Sequence, residues 1–141
     1  MYVPFNPNPA NRKTEDCVVR AIAKVLDIPW EKAYMELSVK GLEMCDWGSS
    51  NAVWGEFLKD KGFVREVIPN TCPDCYTIED FCKDNPIGTF VLGTGTHAVA
   101  CVDGSYFDTW QSGDETPIFA YRKVSDMDDA KIKERGDEDG I

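Results

Sequence analysis

The stretch Thr96-His97-Ala98-Val99-Ala100-Cys101-Val102-Asp103-Gly104-Ser105-Tyr106-Phe107-Asp108-Thr109-Trp110 decides the fold. Two strand-like runs flank Asp103-Gly104, a dipeptide that favours a two-residue hairpin loop because both positions tolerate positive φ. With that loop Val102 pairs with Ser105, Val99 opposes Asp108, and His97 opposes Trp110. Directly opposed residues project to one face, so His97, Val99 and Asp108 share a side of the sheet. His97 and Asp108 are then diagonal neighbours, a separation that an imidazole and a carboxylate can close. A three-residue loop would send Asp108 to the other face. The plainer reading of the same residues is a polar strand position and a charge beside a turn.

Outward from the hairpin, Gly88–Leu92 and Ile118–Lys123 also read as strands, with Gly93-Thr94-Gly95 and Gly113-Asp114 as punctuation. Upstream the period changes. Val18, Ala21, Ile22 and Val25 recur at helical spacing, with Thr14 as a cap and Glu15 and Asp16 at the positive end of the helix. Pro29 opens a second helix through Trp30–Leu37, with Gly41 as its stop. A third helix runs from about Asn51 to Lys61, capped by Ser49 or Ser50 and ended by Gly62. Phe63–Ile68 follows as a strand, and Thr77 caps a short helix near Ile78–Lys83. The opening segment to about Asn11, rich in Pro and Asn, reads as an extended strap. Helices first and a meander of strands afterwards is an α+β arrangement.

A chain of 141 residues suffices for one domain, here residues 1–123, and is short for two. Residues 124–141 carry seven acidic and three basic side chains with few apolar ones, and read as a frayed acidic tail. The net charge of −10 repels phosphate backbones and argues against nucleic acid as a partner. No apolar run reaches the ~20 residues needed to span a bilayer. The N-terminus lacks the basic start and apolar core of a signal peptide. Those two features point to a cytoplasmic protein with no membrane partner.

His97 is the only histidine, and Cys17 opens the first apolar helix. A thiol nucleophile, an imidazole base and a carboxylate that orients the base are the parts of a cysteine acyl-transfer site. A helix N-terminus lowers a thiol pKa, whereas the carboxylates of Glu15 and Asp16 work against ionisation unless they turn away. The alternative for Cys17 is an inert cysteine on the apolar face of a helix.

This constellation resembles the papain-like cysteine peptidases. His97-Ala98-Val99-Ala100 is similar to the strand bearing that family's histidine. Asp108-Thr109-Trp110 looks like its Asn-x-Trp, whose first residue orients the histidine and whose tryptophan shields the bond. Asp108 stands for asparagine, as in the related peptidases that trim bacteriocin leader peptides, and Asp16-Cys17 matches their Asp-Cys pair. Asn11, six positions before Cys17, occupies the place of the glutamine that donates to the oxyanion. The match covers about Asn11–Ala21 and Gly95–Gly113. It lacks the Gly-Ser-Cys-Trp context of true papains, and the chain is shorter than they are, so it resembles a compact bacterial or phage member of the superfamily.

The resemblance implies a papain-like fold, with helices carrying the cysteine packed on a C-terminal antiparallel sheet carrying histidine and aspartate. It implies Cys17, His97 and Asp108 as the catalytic residues, Asn11 as oxyanion donor, no cofactor, and a peptide or protein substrate. The reaction would be hydrolysis of a peptide or isopeptide bond through a thioester. An acyltransferase with the same triad, and a non-catalytic protein-binding module, stay open. So does the oligomeric state.

Of the other cysteines, Cys72-Pro73-Asp74-Cys75 has the two-residue gap of a zinc knuckle, and Cys82 or Cys45 could complete a site. No second pair stands at knuckle spacing. Reduced, packed thiols without metal are therefore expected, and Cys101 is read as packing.

Overall fold

A computed structural model describes residues 1–124 of the chain, so the acidic tail read from the sequence lies, beyond Val124, outside the described residues. The element order is β1 (Tyr2–Pro4), α1 (Cys17–Leu26), α2 (Trp30–Glu43), α3 (Asn51–Asp60), β2 (Phe63–Val67), α4 (Ile78–Asp84), β3 (Thr89–Gly93), β4 (Ala98–Val102), β5 (Ser105–Asp108) and β6 (Phe119–Lys123). Six strands form one sheet in the order β1-β5-β4-β3-β6-β2. The α+β class and the N-terminal helices are as the sequence indicates.

The deciding hairpin has the two-residue loop. Val102 pairs with Ser105, Cys101 with Tyr106 and Ala100 with Phe107. Asp103 and Gly104 take φ values of 49° and 81°, the two positive angles that suit the right-handed twist of the flanking strands. Asp103 also accepts the Gly88 N–H at 3.0 Å, tying the turn to the start of β3.

The sheet is mixed rather than wholly antiparallel. Tyr2–Pro4, expected as a strap, pairs parallel with β5. Pro4 is tolerated because this strand lies on the sheet edge, where a missing N–H leaves no ladder bond unmade. With β1 on the outer side of β5, the last strand cannot continue the meander. It returns instead to the far side of β3, and β2 closes that edge.

Side chains alternate along the strands and build two cores. Ala98, Ala100, Val91 and Tyr121 pack under α1, α2 and α3 with Ile22, Leu37, Trp54 and Leu58. Val99, Cys101, Leu92 and Phe90 pack on the other face with Ile78 and Phe81 of α4. A capping box fixes the start of α4: Thr77 accepts from the Asp80 N–H and Asp80 accepts from the Thr77 N–H.

Two local expectations change. The N-cap of α1 is Asp16, not Thr14. Gly41 does not stop α2, which runs to Glu43. A Cβ at Gly41 would sit 2.6 Å from the Asp46 carbonyl, so the glycine admits the returning loop instead. Among the tryptophans, Trp54 is a core residue, while Trp47 is 81% exposed. No described helix is long and apolar enough to cross a membrane.

Candidate active site

The end of the sheet where β4 begins and β5 finishes brings the three residues together. His97 sits one position before β4, in a turn closed by the Thr94 N–H donating to the His97 carbonyl and the His97 N–H donating to Thr94 Oγ1. Asp108 is the last residue of β5. Strict alternation would carry His97 to the face of Val99, away from α1. Because it precedes the strand, its ring instead meets the N-terminus of α1, where Cys17 is the first helical residue.

His97 Nε2 lies 2.6 Å from Asp108 Oδ2, the diagonal contact the hairpin register allows. The Cys17 thiol faces His97 and the Ala98 backbone N–H, both of which favour its ionised form. With Nε2 facing Asp108, Nδ1 is the ring nitrogen left for Cys17. Trp110 lies over the imidazole with ring centroids 5.4 Å apart. Cys17, His97 and Trp110 line a cavity of about 650 Å³, with Thr14, Ser49 and Asn51 on its other walls.

Asp108 is 1% exposed, yet both of its oxygens are fully engaged. Oδ1 accepts from Arg20 Nη2 at 3.0 Å and from the Thr109 N–H at 2.8 Å. Oδ2 accepts from Ser112 Oγ at 2.6 Å and faces the His97 ring. Arg20, on α1 one turn after Cys17, also holds Asp16 through Nη1 and donates to the Thr14 carbonyl at 3.3 Å. Trp30 Nε1 donates to the other Asp16 oxygen at 2.9 Å. The Asp16 carboxylate, which the sequence set against thiolate formation, is thus compensated by a buried guanidinium.

The charges follow from these contacts. Burial disfavours a Cys17 thiolate, but the hydrogen bonds from His97 and Ala98 and the positive charges of His97 and Arg20 overcome it, and the thiol pKa falls below its ordinary value. Burial also disfavours an imidazolium at His97. Its hydrogen bonds to Asp108 and Cys17 outweigh that, and the pKa rises to about 9. For Asp108, burial is overridden by the bonds from His97 and Ser112, which hold the carboxyl below its ordinary range. The shifts of Cys17 and His97 both run toward the ion pair, thiolate beside imidazolium.

Asn11 stands apart from this group. It is exposed, has a φ of 55°, and its side-chain oxygen accepts from Asn6 Nδ2 at 3.4 Å. It does not line the cavity, whose rim on that side is made by Lys13 and Thr14. Arg20 and Ser112 were not singled out by sequence reasoning. For Arg20 a signal existed, since Asp16 and Arg20 stand at i and i+4 on one helix face. For Ser112 none did.

Cys72 and Cys75 are exposed with sulfurs 3.6 Å apart, and Cys45 is exposed elsewhere. Cys82 and Cys101 are buried together with sulfurs 3.1 Å apart. Among the described residues no group of three or more His, Cys, Asp or Glu side chains is placed to hold a metal ion. Comparison with family models, with curated proteins and with solved structures finds no match to this chain.

Proposed function

We propose that this chain is a thiol hydrolase of papain-like type, cleaving a peptide or isopeptide bond with Cys17 as nucleophile, His97 as acid–base and Asp108 as the group that orients His97. The observation that carries the reading is the line of contacts from the Cys17 sulfur through the His97 ring to Asp108 Oδ2 at 2.6 Å, open to one cavity.

In this reading the Cys17 thiolate attacks the carbonyl carbon of the scissile bond, and the electron pair moves to the oxygen. The oxyanion is received in this reading by backbone N–H groups at the start of α1, which have no partner within the helix. His97 gives its proton to the departing amine as the C–N bond breaks, leaving a thioester on Cys17. Water then attacks the thioester while His97 takes a proton, and the sulfur leaves as thiolate. Asp108 keeps the ring in one orientation throughout. For Asn11 to act as a second oxyanion donor, its side chain has to release Asn6 and turn into the cleft.

The test is covalent labelling with a peptide vinyl sulfone or peptide aldehyde, with the modified residue mapped by mass spectrometry. Modification of Cys17, lost in His97→Asn, supports the reading. Labelling spread over the exposed Cys45, Cys72 and Cys75 while Cys17 stays unmodified would end it.

A further inference from the structure

We propose that Arg20 is a positioning residue for this reaction, a strut that ties the helix end carrying Cys17 to the carboxylate that aims His97. The proposal rests on the hydrolase reading and extends it to a residue outside the triad.

Arg20 is 4% exposed, so its guanidinium has given up nearly all contact with water. Burying an ion costs several kcal/mol, and a buried Asp–Arg–Asp group is often no more stabilising than apolar side chains of the same volume. Stability alone is therefore a weak reason for this cluster, whereas geometry is a strong one. One planar fork reaches the Thr14 carbonyl before the helix, the Asp16 N-cap and Asp108 at the end of β5. Cys17 and Arg20 are separated by three positions on α1, so they share a helix face. Fixing the guanidinium against Asp108 fixes the sulfur against the imidazole that the same carboxylate holds.

The two ends of the chain of contacts are then set by one rigid group. Arg20 occupies Oδ1 of Asp108 and leaves Oδ2 to His97 and Ser112, so the carboxylate cannot rotate without breaking the bond to α1. A lysine would keep the charge but not the fork, because an ammonium on a flexible stem cannot present two parallel donors.

The experiment is the pH profile of Cys17 alkylation by iodoacetamide in wild type, Arg20→Lys, and the double variant Arg20→Gln/Asp16→Asn. The double variant removes one charge of each sign, so Asp16 is not left buried without its partner. Unfolding temperatures are recorded for all three. The charged groups facing Cys17 are His97 beside β4, Arg20 on α1, and Lys13 and Glu15 on the cavity rim, with Asp108 of β5 behind the imidazole. Lys13, Glu15 and Asp108 stay in place in every variant.

Loosening the imidazolium that holds the thiolate is expected to slow alkylation at about pH 6 by roughly ten- to a hundredfold in the double variant, because only the thiolate is alkylated. Its acid limb should move to higher pH, since the imidazolium is no longer held against the thiolate, while the removed Arg20 and Asp16 charges offset each other. Arg20→Lys, which keeps the charge without the fork, should fall between wild type and the double variant in both readouts. A residue with a merely structural role would lower the unfolding temperature and leave both profiles as in wild type; that result overturns the proposal. If wild-type Cys17 is itself no faster than the other cysteines, the hydrolase reading fails first, and the strut falls with it.

Discussion

Replacing Asp108 by Asn separates orientation from charge at the centre of the site. The papain resemblance, where asparagine fills this place, implies a mild change. The contacts say otherwise. Four donors converge on the carboxylate: Arg20 and the Thr109 N–H on Oδ1, Ser112 and His97 on Oδ2. A carboxamide has one accepting oxygen and one NH₂ group. Turned toward Arg20 and Thr109, the NH₂ meets two fixed donors; turned toward His97 and Ser112, it requires the hydroxyl to rotate and the imidazole nitrogen to give up its proton. Leaving a buried polar group unpaired costs about 1–3 kcal/mol, and removing one partner of a buried ion pair about 3–5 kcal/mol. Arg20 keeps Asp16, which favours the low end, so Asp108→Asn is expected to lose about 3 kcal/mol of folding stability. For a domain of this size that is a fall in Tm of roughly 10 °C. Urea unfolding at about pH 7 measures the stability, and Cys17 alkylation on the same protein measures the site. Asp108→Asn within about 1 kcal/mol of wild type and equally reactive would refute the four-donor reasoning.

The other predictions follow from charge, packing and metal content. The raised His97 pKa and the lowered Cys17 pKa give pH linkages of opposite sign. Cys17→Ala removes the thiol's share and leaves Asp108 as the contact that raises the His97 pKa: its contribution is complete below an unfolded value of 6.5 and is lost as pH climbs through the folded one. The urea midpoint of Cys17→Ala, taken relative to Cys17→Ala/His97→Asn, should therefore fall from about pH 6 to pH 9, and a rising midpoint would contradict the sign. Gly93→Ala would place a Cβ 2.3 Å from the Phe119 ring. Overpacking of that kind costs about 1–3 kcal/mol, so a Tm within a degree of wild type would count against the close approach. Purified protein should carry well under one zinc per chain, with Cys72→Ser leaving Tm unchanged. Zinc near one equivalent that is lost in Cys72→Ser would contradict that.

What could be read from residues alone was whatever depends on local chemistry. The Asp103-Gly104 turn fixed the register of β4 and β5, because two adjacent positive φ angles admit few other residues; the Asp108–His97 contact needed in addition that His97, one position before β4, leave the strand alternation. Thr77 marked α4 because a capping box is a matter of four consecutive residues. What was not legible depends on partners distant in the chain. Tyr2–Pro4 becomes a strand only because β5 offers an open edge, and that addition makes the sheet mixed. Gly41 reads as a helix stop until the loop at Asp46 and Gly48 is seen to press against it. Arg20 received no reading of its own; that it is buried follows from Asp108, eighty-eight positions away, ending β5 beside α1. Asn11 matches a family spacing, but its positive φ and its bond to Asn6 hold it away from the cavity.

The state of the Cys17 thiol at neutral pH is the point on which everything else rests. It can be measured as the ultraviolet absorbance of thiolate in a pH titration, taken as the difference between wild type and Cys17→Ala. A thiolate signal that develops at a pH clearly below that of an ordinary cysteine, and moves back up in His97→Asn, is the result expected from the Cys17–His97–Asp108 contacts. A signal that develops only around pH 9, as for an ordinary cysteine, and is indifferent to His97→Asn would contradict it.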